Sequence, residues 1–401
     1  MLKLNIDAGY IVGFAVYFDM FGYFYKQYVP TNSFVLLIAA PLLPVCLALL
    51  KRSARTEGLL TEPGLWVWGL FLLYSVTALS WASHESDGMM KEQILFIRGV
   101  IPGIYAYIIY KKYKTFSWTV VALFGLAYAV MHLLLGGYTS EFPGRLTMPG
   151  GNPIYDSRIA FFTIAVCLWG RNIHPVIRLV VIAVALVSGL YTQSRGPLVA
   201  FVLVNVLVFA LVLIQKYRKG ELKVLARYAV PLCFAILFVL FGSYLYVGHS
   251  HEWLDSSRFT VLFDRDQLQA DDNYLGRLNL QKEALARFME HPFFGAGLGA
   301  SSPGITHDHP HNVIIEMASE LGIIGLILWF GAFLFSIWMA SKNHIMLVLL
   351  LQTFGYAQMS GDFGYNYEYI LMAFVAMALV PKKEGTGREW HAENTVSHYR
   401  I

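Results

Sequence analysis

Runs of about 17–20 apolar residues recur along most of this chain, and each can cross ~30 Å of hydrocarbon as a helix. In lipid only helices and closed barrels satisfy every backbone polar group. A barrel would show short segments of alternating hydrophobicity, and these do not dominate. The composition agrees: of 401 residues, 57% are hydrophobic and only 14% charged, where a soluble domain carries about a quarter charged. The expected fold class is therefore an all-α polytopic integral membrane protein.

About twelve spans are predicted, at residues 8–25, 32–50, 64–82, 93–110, 116–135, 157–170, 175–192, 197–215, 228–248, 313–340, 345–360 and 365–381. Cytoplasmic loops carry the excess of Lys and Arg, so the basic exits set the orientation. Lys51, Arg52 and Arg55 follow the second span, Lys111, Lys112 and Lys114 the fourth, and Arg171 and Arg178 the sixth. Lys216, Arg218, Lys219, Lys223 and Arg227 follow the eighth, Lys342 the tenth, and Lys382, Lys383 and Arg388 the twelfth. Both termini and these loops are expected in the cytoplasm. No cleavable leader is expected, since only Lys3 precedes the first run and no small-residue cleavage site follows. Cys46, Cys167 and Cys233 all fall within apolar runs and read as small hydrophobes.

The domain plan that results is transmembrane helices over 1–248, one large outer loop over 249–311, transmembrane helices again over 312–381, and a cytoplasmic tail over 382–401. The other outer segments are the turns His84–Lys91 and Thr192–Arg195 and the loops Gly136–Ser157 and Ser360–Glu368. Arg145, Arg158, Arg195, Arg258, Arg265, Arg277 and Arg287 lie on this face, against the positive-inside bias. Each therefore calls for a reason.

Arg195 sits in Tyr191-Thr192-Gln193-Ser194-Arg195-Gly196-Pro197, a minimal turn before an apolar helix. A guanidinium there, beside helix N–H groups, can hold a phosphate bidentately. Alternatively it snorkels to lipid headgroups. Arg277 lies in a stretch where Leu278, Gln281, Leu285 and Phe288 recur at helical spacing. This predicts an amphipathic helix ending before Pro292. Arg277 could face an anion at the membrane mouth, or form a salt bridge with Asp271, Asp272 or Glu283. Arg158, after Gly150-Gly151-Asn152-Pro153, is a third candidate anion contact.

The loop closes at His307-Asp308-His309-Pro310-His311-Asn312, where Asn312 can N-cap the helix that follows. The three histidines alternate, but Pro310 interrupts the strand that metal binding would need, so no metal is expected. His311 suits a general base, its ordinary pKa near 6.5 matching neutral chemistry. Glu316 and Glu320, one helical turn apart, could orient groups around it or line a polar crevice. Glycines in His291-Pro292-Phe293-Phe294-Gly295-Ala296-Gly297-Leu298-Gly299 follow no strand, so a dinucleotide fingerprint is rejected in favour of a tight turn.

The set Ser194-Arg195-Gly196, Gly276-Arg277-Leu278, His291-Pro292 with Gly295 and Gly297, His311-Asn312, and Glu320-Leu321-Gly322 with Gly325 resembles the O-antigen ligase and polymerase superfamily. Gly151-Asn152-Pro153 is similar to members of it as well. The resemblance implies a GT-C-like membrane glycosyltransferase, inverting and free of metal or other cofactor. Its donor would be a glycan on undecaprenyl diphosphate, its acceptor lipid A–core, and its place the periplasmic face of the bacterial inner membrane. By the family pattern Arg195 and Arg277 would bind the diphosphate, with Arg158 beside them, and His311 would activate the acceptor hydroxyl. Asn312, His309 and Glu316 would support it. The ligase is preferred, and a polymerase joining lipid-linked repeat units is the alternative. A transporter of the same lipid-linked glycans is the reading from another class, and it would place charges along a path at mid-membrane depth. Nucleic acid is not an expected partner.

Overall fold

The computed structural model describes residues 7–21, 23, 61–220, 272–301 and 309–379. The predicted spans at 32–50 and 228–248, along with Arg258, Arg265, His307 and Asp308, lie outside the described residues. Eleven helices are described here. They are α1 (Ala8–Val16), α2 (Pro63–Thr77, carried on by a 3-10 turn at Ala78–Trp81), and α3 (Glu85–Leu95, passing through a π turn at Phe96–Val100 into Ile101–Tyr113). Next come α4 (Trp118–Leu135), α5 (Pro153–Trp169), α6 (Pro175–Tyr191) and α7 (Arg195–Arg218). The last are α8 (Asp272–Glu290), α9 (Val313–Ala340), α10 (His344–Ala357) and α11 (Tyr367–Leu379). A two-stranded hairpin pairs Gly137 with Thr147 and Tyr138 with Leu146.

Five helices are long and apolar enough to cross a membrane: Pro63–Trp81, Glu85–Tyr113, Trp118–Leu135, Arg195–Arg218 and Val313–Ala340. Three shorter apolar helices, Pro175–Tyr191, His344–Ala357 and Tyr367–Leu379, accompany them. The chain is an all-α, multi-pass membrane protein. Helix starts follow from local chemistry. Asn152 accepts from the Ile154 N–H with Pro153 at the first helical position, and Asn312 accepts from the Ile314 and Ile315 N–H groups. Such caps satisfy donors that the helix itself leaves orphaned, at about 1 kcal/mol each.

Two helices are buried on all sides. Nearly every residue of α5 is covered by α4, α6, α7 and α10, and α11 is covered by α3, α9 and α10. A helix apolar all round belongs inside a bundle. Any polar residue it carries must then be answered from within the protein. Arg158 on α5 and Glu368 on α11 are such residues. Small side chains allow the close approach: a Cβ at Gly103 would stand 2.7 Å from Phe374, and one at Gly125 only 2.4 Å from Thr163.

Three sequence expectations change. The stretch His84–Lys91 is not an outer turn, because the helix starts at Glu85 and Lys91 is buried at 1% exposure. The span predicted from residue 157 begins at Pro153, which draws Arg158 into the bundle. Helix α7 starts at Arg195 itself, so Pro197 is its third residue rather than its first.

Candidate active site

Helix α9 is broken. Gly322 takes φ +64° and ψ −167°, separating a short first segment, Val313–Leu321, from the longer part that follows. A left-handed φ of this kind is available to glycine at little cost. The freed backbone groups are answered by the glycine-rich loop before Ser301. Ala296 and Gly297 donate to the Ser319 and Glu320 carbonyls at 2.9 and 3.0 Å, and Ile323 donates to the Pro292 carbonyl at 2.9 Å. Tyr74 donates its hydroxyl to the Leu321 carbonyl at 3.0 Å. Non-helical backbone at membrane depth persists only when protein satisfies it in this way. The tight turn expected of Gly295, Gly297 and Gly299 is thus a plug for a broken helix, and all three have positive φ.

The first segment of α9 carries His311 at its start, two residues before the helix. His311 has φ +53°, a conformation that non-glycine residues adopt only when their surroundings impose it. The Asn312 cap fixes it on one side. On the other, Gln281 of α8 donates to the Pro310 carbonyl at 3.2 Å. The His309 and His311 rings meet edge to face with centroids 4.3 Å apart. The buried Nδ1 of His311 has no hydrogen-bond partner among the described residues. Burial first, then His309 and the Arg277 and Arg158 guanidiniums, push the imidazole down to about 2. It is therefore neutral at ordinary pH.

The arginines converge on one stretch, Tyr356–Ser360, which runs from the end of α10 into the connection to α11. Arg158 donates to the Tyr356 carbonyl at 3.1 Å and the Ser360 carbonyl at 2.5 Å, with Glu368 at 3.8 Å. Arg277 donates to the Met359 carbonyl at 2.9 Å. Gly196, next to Arg195, faces the Met359 side chain, at 3.2 Å from where a Cβ would lie. Of the bridges considered for Arg277, Asp271 lies outside the described residues, and Glu283 meets Arg287 at 4.0 Å. Arg145 supports the Arg195 turn from behind, donating to the Thr192 carbonyl at 3.0 Å and the Ser194 hydroxyl at 2.6 Å. Four of the arginines flagged by the positive-inside rule thus sit in or directly behind one site.

Glu316 faces away from this cluster. Its carboxylate and that of Glu320 each receive the Lys91 ammonium at 2.6 Å, and all three side chains are buried. Ser301 donates its N–H to Glu320 at 3.1 Å and its hydroxyl to the same carboxylate. Glu316 therefore does not line an open crevice. Lys91 was missed by sequence reasoning, since a lysine among His84, Glu85, Asp87 and Glu92 looks like a solvated turn. Among the described residues no group of three or more His, Cys, Asp or Glu side chains is arranged to hold a metal.

The fold and site are those of a helical membrane protein with guanidiniums and a neutral histidine gathered at one end of a broken helix. Residues 179–330 match the family model described as O-antigen ligase. The chain is also 26% identical over 332 residues to an O-antigen ligase of Pseudomonas aeruginosa, a match covering 79% of this chain and 74% of that protein. Both matches are to O-antigen ligases, members of the superfamily that the sequence motifs resemble.

Proposed function

We infer that the protein transfers O-antigen polysaccharide from undecaprenyl diphosphate to a sugar hydroxyl of lipid A–core, at the periplasmic face of the inner membrane. The observation that carries this reading is the gathering of Arg158, Arg277 and the Arg195 turn at Tyr356–Ser360, within electrostatic reach of His311. The basic exits of the even-numbered spans support cytoplasmic termini and an outward-facing loop at 249–311. Twelve spans remain the count that the apolar runs favour.

The step balances without a nucleotide or a metal. The acceptor oxygen attacks the anomeric carbon from the face opposite the diphosphate, so the product is inverted. The new glycosidic C–O bond forms as the bond to the diphosphate breaks, and undecaprenyl diphosphate leaves with the electron pair. The acceptor proton passes to His311. Negative charge grows on the leaving group, and preorganised guanidiniums stabilise it there. The same charge offsets Arg277 and Arg158, two of the causes holding the imidazole down, so arrival of the donor raises the basicity of His311.

The buried charges speak against a transporter. Lys91, Glu316 and Glu320 are closed on one another rather than lining an open path. Deletion in the host followed by lipopolysaccharide gels tests the reading. A lost ladder with accumulated lipid-linked polymer is the expected result, whereas a single-repeat band would show a polymerase.

A further inference from the structure

We propose that Lys91 is a positioning residue for the transfer: by tying Glu316 and Glu320 to α3, it holds the short first segment of α9, and with it His311, against the arginine cluster. The proposal rests on the reading of His311 as the base. Its grounds are geometric. Leu321 is the last residue before the Gly322 break, so the segment that carries His311 is not locked by the rest of α9. An isolated helix of two to three turns is marginal by itself and takes its place from tertiary contacts. Lys91 supplies the charged ones, at 2.6 Å to a carboxylate in the first turn of the segment and 2.6 Å to one in its last. Its Nζ also lies 3.4 Å from the Ser301 hydroxyl, which itself donates to Glu320. One ammonium thus joins α3, the end of the glycine-rich loop and both ends of the segment.

The arginines are held separately. Arg158 and Arg277 take their places from the Tyr356, Met359 and Ser360 carbonyls, and the Lys91 side chain bonds to none of these. The Lys91 backbone packs on Gly364, a contact that a side-chain change leaves in place. Losing the ammonium should therefore move the base and spare the diphosphate site. A misplacement of about 1 Å in a reacting group costs on the order of 10²-fold in rate.

The experiment uses the full chain in proteoliposomes with lipid-linked glycan donor and lipid A–core acceptor. Four variants are compared: Lys91→Met, His311→Ala, the two combined, and Lys91→Met with Glu316→Gln and Glu320→Gln. The last removes the ammonium together with both carboxylates that receive it, so it keeps the question open to test should Lys91→Met alone fail to insert. Turnover should fall roughly 10- to 10²-fold in Lys91→Met and in the neutral triple variant, with the donor KM within about twofold of wild type. In the His311→Ala background, Lys91→Met should add nothing, because it acts through a base already removed. Normal turnover in either inserted lysine variant, an equal loss of donor affinity, or a further fall in the His311→Ala background overturns the proposal. Normal turnover of His311→Ala by itself would instead overturn the base assignment, so the two failures are told apart.

Discussion

Two clusters of buried charge flank the broken helix α9, and they are balanced differently. The ammonium of Lys91 is answered by two carboxylates at 2.6 Å. The guanidinium of Arg158 is answered by one carboxylate at 3.8 Å and by two backbone carbonyls. Carbonyl dipoles orient a cation without cancelling its charge. The first cluster is therefore a closed knot, and the second keeps positive potential for an anion to meet. Charge count alone would not separate them; the kind of partner does.

The largest expected effect lies at the open cluster. His311→Ala should lower turnover by roughly 10²–10⁴-fold, the usual share of a general base, while donor binding persists. A binding assay alongside single-turnover kinetics checks this, and a fall in both would move His311 to the arginine side of the comparison.

Arg277→Ala and Arg158→Ala should weaken donor binding and also slow cleavage, by about 10²–10³-fold together, because the contacted charge grows in the transition state. Lysine at either position keeps the charge but loses the bidentate fork, so recovery should be partial. Full rescue by lysine would mean that charge alone matters.

At the closed cluster stability should be lost alongside turnover. Breaking a buried pair costs about 3–5 kcal/mol, whereas replacing all its members with neutral groups costs far less. Thermal unfolding of Glu320→Gln against the neutral triple variant reads this difference. Equal destabilisation would show that the cluster is not held by its charges.

The smallest effect is the pH dependence of the open cluster. The folded pKa of His311 is lowered, so the unfolded chain binds more protons below about 6.5. Stability should then fall as pH drops from 6.5 towards 2, the interval bounded by the ordinary and shifted values. The acid limb of kcat/KM, which reports the free enzyme, should lie below that of kcat, which reports the donor complex. Arg277→Gln should raise the kcat/KM limb, since it removes one of the charges that push the imidazole down. An unmoved limb would uncouple the arginine from the histidine.

The apolar runs, the cap at Asn312 and the amphipathic helix around Arg277 were all legible from sequence. Hydropathy and capping are local properties. What the sequence could not show was which polar residues leave water. Lys91 stands among acidic and small residues that read as solvated, and its burial depends on Glu316, 225 residues away. The break at Gly322 was likewise invisible, since its freed backbone is answered by Pro292, Ala296 and Gly297 from a separate loop. Arg158 looked like the weakest anion contact until α5 proved to be covered on every side. In each case a buried charge or an open backbone group is tolerable only with a partner, and the chain brings that partner from far along its length. Local pattern determined the helices and proposed the chemistry; tertiary packing alone decided which charges were met by opposite charge and which by backbone carbonyls.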